Sequence, residues 1–111
     1  MSKINSQFGF DSKRDQYNVL NTPAGKMKDH VGERIQITAW AMIERDNHET
    51  GEITHVFICK TVDGEFIGTS SKSFIEGVET FLSCFEPGEL NEFEVGKATS
   101  RGGRDYLVFK A

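Results

Sequence analysis

The stretch Lys97-Ala98-Thr99-Ser100-Arg101-Gly102-Gly103-Arg104-Asp105-Tyr106 places three cations and a phenol ring around a pair of glycines. Guanidinium and ammonium groups pair with phosphates, an aromatic ring stacks on a base, and glycine lets backbone approach a ligand closely. These parts suit the holding of a single nucleic-acid strand, although a short Arg-Gly-Gly-Arg run also makes an ordinary soluble turn. Trp40 and Phe57 are further rings in extended-looking stretches, and each base stacked on such a ring contributes about 1–3 kcal/mol. Trp40 lies opposite the isoleucine face of its stretch if alternation is unbroken, which puts it on an outer sheet surface; one bulge would turn it inward. Phe57 shares a face with His55 and Cys59, and is exposed only if Val56, Ile58 and Val62 form the core face. Lys60, Lys72 and Lys97 supply cations that would line the same groove. The expected nucleic-acid-binding set is therefore Trp40, Phe57, Lys60, Lys72, Lys97, Arg101, Arg104 and Tyr106.

Other chemistries lack their parts. There is no GxSxG, P-loop or HExxH segment, so no converging nucleophile, base and acid is indicated and no catalytic residue is assigned. His30, His48 and His55 show no metal-ligand spacing, and Cys59 and Cys84 show no CxxC spacing. Both cysteines sit in apolar patterns and are expected to be buried thiols. Neither a metal nor a cofactor is expected.

Composition and charge narrow the class. The chain has 111 residues, room for one core, and its 37% hydrophobic content excludes an acidic disordered chain. No apolar run approaches the roughly 20 residues of a transmembrane helix. The start, MSKINSQFGFDSKRDQ, lacks the apolar segment of a signal peptide, so a cytoplasmic location is expected. A net charge of -4 argues against a uniformly basic coater of duplex DNA. Residues 41–96 carry 3 Lys+Arg against 12 Asp+Glu, whereas residues 97–111 carry 4 against 1 and residues 1–40 carry 6 against 4. The acid is confined to the middle, which leaves the ends free to meet an anion locally.

The elements that would position these groups follow from periodicity. Residues 1–16 are polar and aperiodic, and are expected as a flexible N-terminal arm. Residues 17–20 read as a short extended segment, followed by Thr22 as a helix N-cap, Pro23 at the first helical position, and a short turn ending near Gly32. In residues 33–44, Ile35, Ile37, Ala39, Ala41 and Ile43 alternate with polar or larger residues as a strand. A second strand over 53–62 turns at Asp63-Gly64 into a third over 65–69. The period then becomes helical: Ser73-Phe74-Ile75-Glu76 has the form of a capping box, and Phe74, Val78, Phe81, Leu82 and Phe85 make one apolar stripe, stopped by Pro87-Gly88. Strands over 92–99 and 104–110 complete the chain. The expected fold is all-β with one helix, a five-stranded OB-fold barrel in the order β-β-β-α-β-β over residues 17–111.

The segments VLNTPAGKMKDHVGERIQI, GTSSKSFIEGVETF and GKATSRGGRDYLVF resemble small phage-encoded single-stranded DNA-binding proteins of the OB type, over roughly residues 17–111. The resemblance implies a protein that coats single-stranded DNA in phage replication or recombination, in the host cytoplasm. It implies a homo-oligomer, dimer or larger, with replication or recombination proteins as further partners. It also implies that Trp40, Phe57, Arg101, Arg104 and Tyr106 belong to the DNA surface. The chain ends in YLVFKA without a Gly/Gln-rich linker or acidic tip, which puts recruitment through such a tail in doubt. The alternative is a protein-interaction module of the same fold, an accessory factor or inhibitor of a host or phage protein. Glu44, Asp46, Glu49 and Glu52 would then meet a basic partner.

Overall fold

The computed structural model describes residues 2–21, 23–46 and 49–111. Along the chain run β1 (Ser2–Phe8), α1 (Lys13–Asn21), β2 (Gly25–Lys26), β3 (Arg34–Asp46), β4 (Ile53–Thr61), β5 (Phe66–Thr69), α2 (Lys72–Cys84), β6 (Glu92–Thr99) and β7 (Asp105–Lys110), with 3-10 turns at Met27–His30 and Pro87–Glu89. The expectation of five strands and one helix is thus corrected to seven strands and two helices among the described residues. They form one strongly curled, mixed sheet that makes a half-barrel. Its path is β2-β5-β4-β3-β6-β7, with β1 added on β3.

The long strand β3 joins the two halves of this sheet. Its start, Arg34 to Gln36, pairs with β6, while Ile37 to Asp46 pairs with β4. Between these regions the register shifts, Ile37 facing Thr61 and Ala39 facing Lys60, so Thr38 is an extra residue on β3. A bulge of one residue exchanges the two faces of the strand beyond it. Ile35 and Ile37 therefore share the main core with Trp40 and Met42, while Ala39, Ala41 and Ile43 turn to a second cluster on the other side.

This register corrects the expected exposure of two rings. Trp40 is 1% exposed and Phe57 0%. The two rings stack with centroids 6.4 Å apart, and Phe57 also meets Phe74 and Phe93 at 6.0 and 6.2 Å. The Trp40 indole N–H donates to the Pro87 carbonyl oxygen at 3.0 Å, which satisfies its one polar group inside the core.

The second cluster is built by the N-terminal segment. Residues 1–16, expected as a flexible arm, include a strand paired antiparallel to β3 from Ser2 opposite Arg45 to Phe8 opposite Trp40. Gly9 then turns the chain with φ +90, where a Cβ would stand 2.7 Å from that of Ala39, so a side chain is excluded on both counts. Ser12 starts α1, its Oγ accepting from the Asp15 N–H at 3.0 Å. Residues 17–20, expected as extended, lie in this helix, and Pro23, expected at a helix start, follows its end. Thr22, expected as the N-cap, lies outside the described residues. Phe10 and Val19 pack on Ala39, Ala41, Ile43 and Ile58, with Phe10 stacked on Phe66 at 6.3 Å. Both faces of the β3-β4 pair are therefore covered. The alanines make this layer thin enough for α1 to approach.

Helix α2 closes the other side. It starts at Lys72 with Ser71 as N-cap, and the expected Ser73–Glu76 capping box does not form. Ser73 Oγ instead donates to the Leu107 carbonyl oxygen at 2.8 Å, tying α2 to β7. Phe74, Ile75 and Val78 are buried, whereas Phe85, expected in the core stripe, is exposed and stacks on half-buried Phe81 at 4.4 Å. No helix among the described residues is long and apolar enough to cross a membrane.

The two thiols separate in the same way. Cys59 is buried, and burial pushes its thiol from 9.0 up to about 12; Cys84, expected to be buried, is exposed. The folded state holds the Cys59 proton more tightly than the unfolded chain does, so this contribution to stability is present below pH 9 and is lost between there and about pH 12. An aromatic disulfide reagent at neutral pH is expected to modify one thiol, Cys84, in native protein and both after denaturation. Rapid reaction of both in the native state would contradict the burial of Cys59.

Candidate nucleic-acid interface

The half-barrel leaves a groove between the β2-β5 edge and the β6-β7 hairpin, with a volume of about 660 Å³. One wall is Lys26, Met27, Lys28 and Val31, where the chain passes from β2 into the 3-10 turn. Gly68, Thr69, Ser70 and Ser71 form the floor, and Lys97, Asp105, Tyr106 and Leu107 form the opposite wall. Met27 is fully buried while Lys26 and Lys28 on either side are exposed, so the core residue anchors the turn and holds both ammonium groups outward. Backbone bonds from the Gly32 N–H to the Val95 carbonyl oxygen (2.8 Å) and from the Val95 N–H to the Glu33 carbonyl oxygen (3.0 Å) fasten the end of this segment to β6.

The opposite wall follows from alternation in the hairpin. Val95 faces Phe109, Lys97 faces Leu107 and Thr99 faces Asp105, and all six share one face. Val95 and Phe109 belong to the main core, so Lys97 and Asp105 continue the core face beyond the end of the apolar packing. There Lys97 Nζ lies 3.6 Å from Asp105 Oδ2, and the Thr99 hydroxyl donates to Asp105 Oδ1 at 2.8 Å. The Thr99 bond first and the Lys97 ammonium second hold the Asp105 carboxyl below its usual range. Tyr106, between Asp105 and Leu107 on β7, pairs with Ala98, turns its side chain to the other face of the hairpin and is 41% exposed. Arg101 and Arg104 stand exposed at the hairpin tip, where Gly103 takes φ +81. Among the described residues, Lys26, Lys28, Arg101 and Arg104 have no ion-pair partner, whereas Lys97 does.

Of the eight residues expected at the site, Lys97 and Tyr106 line this groove, and Arg101 and Arg104 extend its hairpin wall. Lys72 begins α2 beside Ser71 but lines a neighbouring groove with Ile53, His55, Glu76 and Glu79. Lys60 is half-buried on β4, on the same face as Ile58 and thus on the side covered by α1. Trp40 and Phe57 are core residues and present no face to a ligand. Lys26 and Lys28 are not among the eight expected residues; the Lys-Met-Lys alternation, with one apolar residue between two cations, is the signal that marks them. Among the described residues no three His, Cys, Asp or Glu side chains gather as a metal site.

Comparison of the chain with protein-family models, with curated proteins and with solved structures finds no match in any of the three.

Proposed function

We propose that the chain is a non-catalytic, largely sequence-indifferent single-stranded DNA-binding protein, with a role in phage replication or recombination. The observation that carries this reading is the convergence of Lys26, Lys28 and Lys97 on one open groove, three cations for the backbone, with the partly exposed Tyr106 at its rim. Strand order supports an OB assignment for β3 to β7. Three strands meander, α2 crosses over, and β6-β7 returns to the other side of β3, leaving the sheet open between β7 and β2, the short strand paired along β5. In this assignment β1, α1 and β2 are additions, and they matter for the ligand path. The outer β4-β5 face, where OB domains take oligonucleotides, is here covered by Phe10, Val19 and Leu20. The strand would therefore run along the open edge beside the β6-β7 hairpin. Assembly as a dimer or larger belongs to the same reading: the outer edge of β1 has no strand partner among the described residues and offers free backbone groups.

Fluorescence anisotropy of a labelled oligo-dT, titrated with protein over a range of salt, tests this directly. Saturable binding that weakens with salt is expected. Tyr106→Ala should weaken binding by up to about 1–3 kcal/mol, the contribution of one stacked base, in protein that melting shows to be folded. Absence of saturable binding at low salt would end this reading and favour a protein-interaction module.

A further inference from the structure

We propose that Asp105 sets the affinity of the groove by acting as an internal competitor for Lys97, standing where a phosphate of the ligand would stand; this rests on the single-strand reading above. Three observations converge on it. Lys97 and Asp105 both line the groove, so their ion pair lies in the ligand path and not behind it. The carboxylate is oriented, because Thr99 Oγ1 donates to its Oδ1 at 2.8 Å and leaves Oδ2 directed to the Lys97 ammonium at 3.6 Å. The pairing is also confined to one wall: across the groove, Lys26 and Lys28 have no ion-pair partner among the described residues.

The two walls therefore meet a strand differently. Lys26 and Lys28 are open to phosphate at once. Lys97 already shares its charge with Asp105, so a phosphate gains its full attraction only as the carboxylate moves away, and the carboxylate then stands as a like charge beside the bound backbone. Binding exchanges one anion for another on that ammonium, and the released carboxylate takes up solvent cations while the DNA gives its own up. The Lys97 contact thus adds little to the salt dependence. The chain holds its ligand more loosely than its count of cations suggests, which suits a protein that must be removed from a strand.

The test compares wild type, Asp105→Asn and Lys97→Ala, the double variant Lys97→Ala with Asp105→Asn, and Asp63→Asn as a control for net charge. Asp63 lies in the β4-β5 turn and lines a different groove with His30 and Glu65. Each protein is titrated against labelled oligo-dT at several salt concentrations. Asparagine retains an oxygen for the Thr99 hydroxyl, and unchanged thermal melting checks that the hairpin is kept. Asp105→Asn is expected to tighten binding about threefold at low salt, the scale of one exposed ion pair. Its salt slope should steepen by up to about 0.7, the value of one added contact to a single strand. The effect should vanish when Lys97 is already alanine. Equal tightening by Asp63→Asn, or persistence of the effect in the Lys97→Ala background, would show a general charge effect and overturn the competitor role. No change in Asp105→Asn, with wild type binding normally, would overturn it as well while leaving the single-strand reading intact. Failure of wild type to bind oligo-dT would overturn that reading and the competitor role together.

Discussion

Phe57→Ala is expected to cost about 3–5 kcal/mol of folding stability while leaving the binding groove chemically intact. The ring is fully buried at the centre of the main core, in contact with the rings of Trp40, Phe74 and Phe93. Alanine would remove the buried surface and leave a cavity that three large rings cannot collapse to fill. Domains of this size have about 5–15 kcal/mol in total, so the loss is a large fraction of the whole. At about 4–8 °C per kcal/mol the melting temperature should fall by roughly 12–40 °C, which circular dichroism would read. The milder Phe57→Leu should remain folded and bind oligo-dT as wild type does. A Phe57→Leu protein that melts normally but has lost binding would return this ring to the ligand surface and contradict the buried placement.

Joint replacement of Lys26, Lys28 and Lys97 by alanine should give the opposite pattern, a large loss of binding at unchanged stability. All three side chains are exposed, and alanine removes no core contact. Each phosphate contact to a single strand contributes about 0.7 to the slope of log affinity against log salt. Three contacts referred to 1 M salt, with Lys97 contributing least because Asp105 already engages it, amount to a loss on the order of 100-fold near 50 mM. The slope itself should become shallower by about 1.5–2, and the difference from wild type should shrink as salt rises. An unchanged slope would place the backbone of the ligand elsewhere, whatever the change in affinity.

The parts of the fold that were legible from sequence are those in which burial is one-sided. β6 appears over the residues that alternation marked, Glu92–Thr99, and the Asp63-Gly64 turn appears with Gly64 at φ +89. In α2 the apolar stripe is wide enough to give a helical period, even though the cap fell two residues early. Two-sided or thin burial hid the rest. α1 buries only Val19 fully, so its polar sequence shows no stripe. The one local signal of its start, the N-cap spacing of Ser12-Lys13-Arg14-Asp15, lies inside the stretch expected as a flexible arm. β1 is an added edge strand whose Ser, Asn and Gln residues carry no alternation.

The site was half legible for the same reason. Lys97, Arg101, Arg104 and Tyr106 lie in one local hairpin, where spacing along the chain is also spacing in space. Lys26 and Lys28 reach the groove only because β2 pairs in parallel with β5, a non-local contact that local patterns do not encode. Trp40 turned on a single extra residue at Thr38. With apolar side chains on both faces of β3, alternation gives no way to locate that residue.

The burial of Trp40 fixes what can be seen by spectroscopy. It is the chain's one tryptophan, and its indole N–H is held by Pro87 inside the core. Its emission should be that of an indole shielded from water and should shift to the red only when the core opens. A ligand entering the groove has no access to it, so a titration followed through tryptophan would remain silent even with tight binding. Excitation of tryptophan therefore reports the folded fraction, while a labelled strand reports occupancy, and the two can be read from one sample.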